Sequence, residues 1–186
     1  MAQKHVTDLE TARRIASGDA GVTENFVLTH YASLFRFMRH LAGHREDAED
    51  LTQQAFIKAK QQIASYRGKA PLRTWLYRIA LHEYTHLKRR NRRTQGLDPA
   101  HAHVERGYEA CVEAQALLAS LGKLPEGLRH TFLLHEVQEL SVEEVAQVLG
   151  VPQGTVKSRL FSARQKLSQM LGRQEDEIEA QPALES

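Results

Sequence analysis

Three sets of side chains in this sequence have the types and spacing to recognise another molecule. The first lies in VPQGTVKSRLFSARQKL, Val151 to Leu167. At 3.6 residues per turn, Val156, Leu160, Ala163, Leu167 and Leu171 share one apolar stripe. Phe161 falls outside it, beside Ser158, Ser162 and Gln165, with Lys157 and Arg164 along the edge. An aromatic ring among small hydroxyls and cations on a wet helix face suits a DNA groove. The ring can lie on a thymine methyl, and the Ser158 and Ser162 hydroxyls can meet base edges or phosphates. Lys157, Arg159 and Arg164 are spaced to hold backbone phosphates. Thr155 sits near the helix start, where unpaired amides also favour a phosphate.

The second set follows the breaker-rich segment YRGKAP, residues 66–71. A helix from about Leu72 to Arg92 would turn Leu72, Leu76, Ile79, Ala80 and Leu87 inward. Trp75, Arg78, His82, His86, Arg89 and Arg93 then form a separate stripe, to which the preceding loop adds Tyr66 and Arg67. Unpaired bases need faces to stack on and charges that follow the phosphates, so this stripe suits single-stranded or opening DNA. The third set is Asp47, Asp50, Gln53, Gln54, Ile57 and Gln61, on the outward side of the helix before that loop. Its acidic balance repels DNA, and an outward isoleucine among acids and amides fits a protein partner.

Catalytic chemistry finds little support. His82 and His86 are four residues apart on one face, and HAH at 101–103 has chelating character. No cysteine or carboxylate pattern nearby completes a tetrahedral site, so no metal and no cofactor is expected. No nucleophile–base pair, glycine-rich phosphate loop or carboxylate pair stands out. The expectation is a binding protein and not an enzyme.

The elements that would position these groups are helices. Apolar residues recur at helical spacing, with no strand alternation. Asn25 to Leu41 carries Val27, Tyr31, Leu34, Met38 and Leu41 on one side, and Arg45 to Ser65 carries Ala48, Thr52, Ala55, Ala59 and Ile63. Residues 92–107, RRTQGLDPAHAHVERG, lack an apolar period and read as a mobile linker. Helices then cover about Glu109 to Leu121 and a stretch from Pro125. SVEE at 141–144 spells a capping box that opens a short helix ending before Gly150. That short helix, the glycine turn and the following basic helix make a helix-turn-helix. The fold class is all-α: two small helical domains joined by a flexible linker.

Charge agrees with this division. The formal net charge is only +2, yet residues 67–93 hold nine Lys/Arg against Glu83 alone. Residues 153–173 hold five against no acid, and residues 174–186 hold five acids and no base. Two basic patches in a near-neutral chain point to a polyanion touched at two places. Cys111 is the single cysteine, which excludes an intramolecular disulfide and suits the cytoplasm. No apolar run reaches the length of a secretion signal or a membrane span, so no membrane insertion is expected.

Taken together, DAEDLTQQAFIKA (47–59), YRGKAPLRTWLYRIA (66–80), LPEGLRHTFLLHEVQELSVEEVAQVLGVP (124–152) and GTVKSRLFSARQKL (154–167) resemble the extracytoplasmic-function sigma factors of bacterial RNA polymerase. The resemblance covers roughly Asn25 to Arg93 and Glu109 to Leu171. With it the chain divides into region 2 over residues 1–93, a linker over 94–108 and region 4 over 109–172; the acidic tail over 173–186 lies outside the resemblance. Region 2 would bind the clamp helices of core RNA polymerase through Asp47, Asp50, Gln53, Gln54 and Ile57. It would capture the melted −10 element through Tyr66, Arg67, Trp75, Arg78, His82, His86 and Arg89. Region 4 would read the −35 element through Thr155, Lys157, Ser158, Arg159, Phe161, Ser162 and Arg164, and would touch the polymerase flap. An anti-sigma factor typically holds such proteins inactive. The sequence departs from the family's frequent residues at His82 (often Asn), Ser162 (often Arg), Gln54 (often Glu) and Lys60 (often Trp). The competing expectation is a stand-alone helix-turn-helix regulator that binds duplex sites without polymerase.

Overall fold

A computed structural model of the protein describes residues 2–95 and 112–179, with side-chain surroundings for residues 7–91, 93 and 116–172. The described residues are helical with no strand. The amino-terminal unit contains α1 (Ala2–Ala16), α2 (Ala20–Ala42), α3 (Arg45–Gln62) and α4 (Leu72–Gln95), with a 3₁₀ turn at Ile63–Ser65. The carboxy-terminal unit contains α5 (Val112–Lys123), α6 (Glu126–Phe132), α7 (Val142–Leu149) and α8 (Gln153–Glu179). A π-helical turn, Leu133–Val137, follows α6.

The core of the first unit is built by Leu34, Phe37, Met38 and Leu41 of α2, Ala48, Leu51 and Ala55 of α3, and Leu72, Leu76 and Ala80 of α4. Small residues on α3 let the neighbouring helices approach closely, and larger side chains of α2 and α4 fill the space between. Periodicity does not announce α1, yet Ala12 and Ile15 bury one side of it against the bundle. Asp19 then caps α2, accepting a 3.1 Å hydrogen bond from the Val22 amide. Tyr31 departs from its expected inward position: it is half exposed and stacks on Phe35 and Phe56. The expected helix end at Arg92 extends to Gln95, and the start expected at Glu109 falls outside the described residues, where α5 is described from Val112. Most of the expected linker lies outside the described residues.

The second unit follows local chemistry closely. Ser141 Oγ accepts from the Glu144 amide at 3.2 Å, and the Glu144 carboxylate accepts from the Ser141 amide at 2.9 Å, which completes the capping box. Gly150 takes a left-handed φ of 66°, and its amide bonds back to the Ala146 carbonyl, ending α7. Val156, Leu160, Ala163 and Leu167 of α8 are buried against Leu133, Leu134, Val145 and the other core residues of this unit. The first residues of the expected acidic tail continue α8 to Glu179.

The two units pack together through the side of α4 that sequence periodicity leaves unassigned. Tyr77 Oη donates to Gln138 Oε1 at 2.6 Å, and Thr74 Oγ1 donates to Glu144 Oε1 at 3.0 Å. Arg73 reaches the Gln138 carbonyl and also lies over the Tyr77 ring. Farther along α4, Lys88 pairs with Glu126 at 2.8 Å, and Tyr84 meets His130 edge to face. The π turn helps aim Gln138 at α4: the Gln138 amide bonds to the Leu133 carbonyl five residues back, adding a residue to the turn.

Candidate nucleic-acid and protein interfaces

The basic helix of the second unit presents a divided surface. Phe161 is 67% exposed although Leu160 before it and Ala163 two residues on are buried. Lys157 and Ser158 are exposed beside it, while Thr155 and Ser162 are half-buried at the edges. Ser158 Oγ donates to the Thr155 carbonyl at 3.0 Å, a bond within the helix that leaves its oxygen lone pairs turned to solvent. The cations differ from the equal roles expected of them. Arg159 is half-buried, and its guanidinium lies over Gly127, where a Cβ would stand 3.4 Å from its Cζ. Arg164 is exposed but pairs with Glu136, with Nε 3.1 Å from Oε1. Lys157, about one helical turn before the ring, is exposed.

The stripe on α4 is less uniform than its spacing suggests. Arg78, His82, His86, Arg89 and Arg93 are exposed, as is Arg67 in the preceding loop. Tyr66 is not a free stacking face: it is 6% exposed, and its hydroxyl donates to the Ala70 carbonyl at 2.5 Å. Burial pushes its hydroxyl pKa up to about 12, so it stays a donor at any working pH. Trp75 is half-buried and packs edge-on against Tyr66, with centroids 5.6 Å apart. The physical reason is local. A loop with glycine and proline has little apolar surface of its own, so its one aromatic folds under it and closes it. Tyr66 supports the stripe and does not belong to its surface.

His82 and His86 bring their Nε2 atoms to 3.1 Å, so one ring donates while the other keeps a lone pair. Residues 82–86 spell His-Glu-Tyr-Thr-His, the order found on zinc-protease helices, a spelling that carboxylate counting alone passes over. Glu83 Oε1 lies 3.7 Å from His82 Nδ1, but among the described residues no third ligand-bearing side chain joins the pair. The HAH segment at 101–103 lies outside the described residues.

The outward set on α3 is exposed as its spacing requires. Asp47, Asp50, Gln53, Gln54 and Ile57 are all exposed on α3, Ile57 at 47%. Ile57 also borders an apolar groove of about 180 Å³ with Ile15, Val27, Phe56 and Ile63. Leu28, 70% exposed on α2, adds an outward apolar residue that helical periodicity alone does not single out.

Comparison with known proteins places these surfaces. Residues 26–94 match the sigma-70 region 2 model, and residues 114–167 match sigma-70 region 4. The chain is 30% identical to the RNA polymerase sigma-H factor of Pseudomonas aeruginosa, over 88% of this chain and 93% of that one. It is 30% identical to the ECF RNA polymerase sigma-E factor of Haemophilus influenzae, over 88% and 95%. The chain belongs to the extracytoplasmic-function sigma factors. Two solved structures share its fold. CnrH, solved with the cytosolic domain of CnrY, aligns at a TM-score of 0.70 and 29% identity, over 89% of this chain and 97% of that one. RpoE of Bartonella quintana, solved with the anti-sigma factor NepR, aligns at 0.69 and 26%, over 80% and 96%. The exposed α4 stripe of this sigma factor therefore falls in region 2, and its helix-turn-helix in region 4. No described helix is long and apolar enough to cross a membrane.

Proposed function

We propose that this sigma factor binds core RNA polymerase through the Asp47, Asp50, Gln53, Gln54 and Ile57 face and directs it to promoters carrying paired −10 and −35 elements. The observation that supports this most is the outward Phe161 beside Lys157 and Ser158, on a helix whose opposite side is buried. An aromatic this exposed, with no ring contact among the described residues, fits the base edges of a major groove. Arg67, Arg78, His82, His86 and Arg89 supply the contacts to the melted −10 strand, and the half-buried Trp75 gives one ring edge to it. Tyr66 acts from beneath. Thr155, Arg159, Ser162 and Arg164 flank the −35 contact. Arg159 and Arg164 must leave Gly127 and Glu136, or share them, to reach phosphate.

On this reading region 2 spans residues 1–93, a linker 94–108 follows, region 4 spans 109–172, and an acidic tail ends the chain. The protein acts in the cytoplasm as an initiation factor with no catalysis and no cofactor of its own. Region 2 engages the clamp helices and region 4 the flap. An anti-sigma factor restrains it, a reading supported by the similar RpoE, which was solved with the anti-sigma factor NepR.

The test is run-off transcription with purified protein, bacterial core polymerase and genomic DNA. Protein-dependent transcripts that share a −35/−10 pair are the expected result. Tight duplex binding by the protein alone, without binding to core, would mean a stand-alone regulator.

A further inference from the structure

We propose that Asp8 is a positioning residue for the loop 66–71 and the first turn of α4, acting across the bundle from α1. The proposal rests on the reading of α4 as the −10 contact and extends it to a helix that the sequence patterns do not reveal. The first hydrogen bond of α4 runs from the Trp75 amide to the Pro71 carbonyl, 3.0 Å, so Pro71 occupies the cap position. Proline has no side-chain acceptor, and the opening amides of α4 therefore lack a local cap. Asp8 Oδ2 supplies one from 64 residues earlier, accepting from the Leu72 amide at 2.9 Å. Its negative charge also lies at the positive end of the helix dipole.

The same helix holds the loop at a second point. Gly68 has a φ of +69°, and any Cβ there would stand 3.0 Å from Leu9 Cγ and Cδ1. Leu9 thus sits directly on the loop backbone where the chain turns. Between these two points, Tyr66 ties the loop to itself through the Ala70 carbonyl and braces Trp75. Asp8 fixes the end of the loop, Leu9 its middle, and Tyr66 its beginning. Arg67 and Lys69 are left exposed on its outer side, with Arg78 one to two turns farther along α4. A frayed first turn would let Trp75 and Arg67 lose their relation to Arg78 and His82. That relation is what simultaneous contact with an opened strand requires.

The experiment compares Asp8→Ala, Asp8→Asn and the neighbouring exposed Glu10→Ala in the holoenzyme. Promoter opening is read by permanganate reactivity of unpaired thymines, and core affinity is measured separately. Asp8→Ala should lower opening about fivefold, the size expected from losing one helix cap, with core affinity within about twofold. Asparagine caps as well as aspartate, so Asp8→Asn should restore most of the opening. Asp8→Ala should add little to Arg67→Ala, because both act through one loop. Equal defects in the alanine and asparagine variants, or a loss of core affinity that matches the loss of opening, would overturn the proposal. His82→Ala in the same assay tests the stripe itself. Normal opening there removes the −10 reading of α4, whatever Asp8→Ala does.

Discussion

The two units present their basic helices in different ways. In the second unit α8 is simple: one side fills the core and the other carries Phe161, Lys157 and Ser158. In the first unit α4 has three sides. Leu72, Leu76 and Ala80 enter the bundle, Arg73, Thr74, Tyr77 and Tyr84 meet the second unit, and Arg78, His82, His86 and Arg89 remain outside. A two-sided helix declares its surface by periodicity. A three-sided helix does not, because polar residues on it are either exposed or paired with a distant partner.

The contact between the units has a polar character that this contrast makes testable. The largest expected effect concerns His130, which is 6% exposed against Tyr84. Burial holds its imidazole at about 4, against an ordinary 6.5, despite the nearby Glu126 carboxylate, which acts the other way. The unfolded chain therefore takes up a proton between those values that the folded chain does not. Stability is fully present above pH 6.5 and falls as the pH drops toward 4, by up to about 3 kcal/mol. Urea unfolding at a series of pH values should show that slope, and His130→Gln should flatten it. A wild-type midpoint unchanged between pH 7 and 5 would break the account of a neutral buried imidazole.

On the simpler helix, Phe161→Ala should reduce specific run-off transcription about tenfold, in the range of one lost base contact. Gln169→Ala, farther along the same helix, should change it less than twofold. Equal, small effects would remove the reason given for an exposed aromatic. On the three-sided helix, Tyr77→Phe leaves the buried Gln138 carbonyl oxygen without its donor and should cost about 1 kcal/mol. The expected sign is a larger radius of gyration by small-angle scattering as the units separate more often. The smallest effect is expected at Lys157→Ala, which should lower the salt slope of promoter binding by about 1. A larger fall in slope at Arg164→Ala would show that the Glu136 pair opens freely.

The helix-turn-helix was legible because each of its signals is local. The Ser141–Glu144 box, Gly150 and the α8 stripe all act within a few residues, and the structure carries each as expected. The outward side of α3 was legible for the same reason. Tyr66 was not, since its burial depends on a loop folding over it and on Trp75 beyond. Nor were the constraints on Arg159 and Arg164, whose neighbours Gly127 and Glu136 lie about 30 residues away along the chain.

By itself the sequence determined the all-α fold class, two basic patches, the second helix of the helix-turn-helix and the direction of its aromatic, because periodicity and capping are properties of neighbouring residues. Only the tertiary structure decided that α1 caps α4 through Asp8, and that Tyr77, Tyr84 and His130 form a contact between units. It also decided that Arg159 and Arg164 are already held by Gly127 and Glu136. A buried polar group is stable only when its partner is supplied, and here those partners stand up to 70 residues away along the chain.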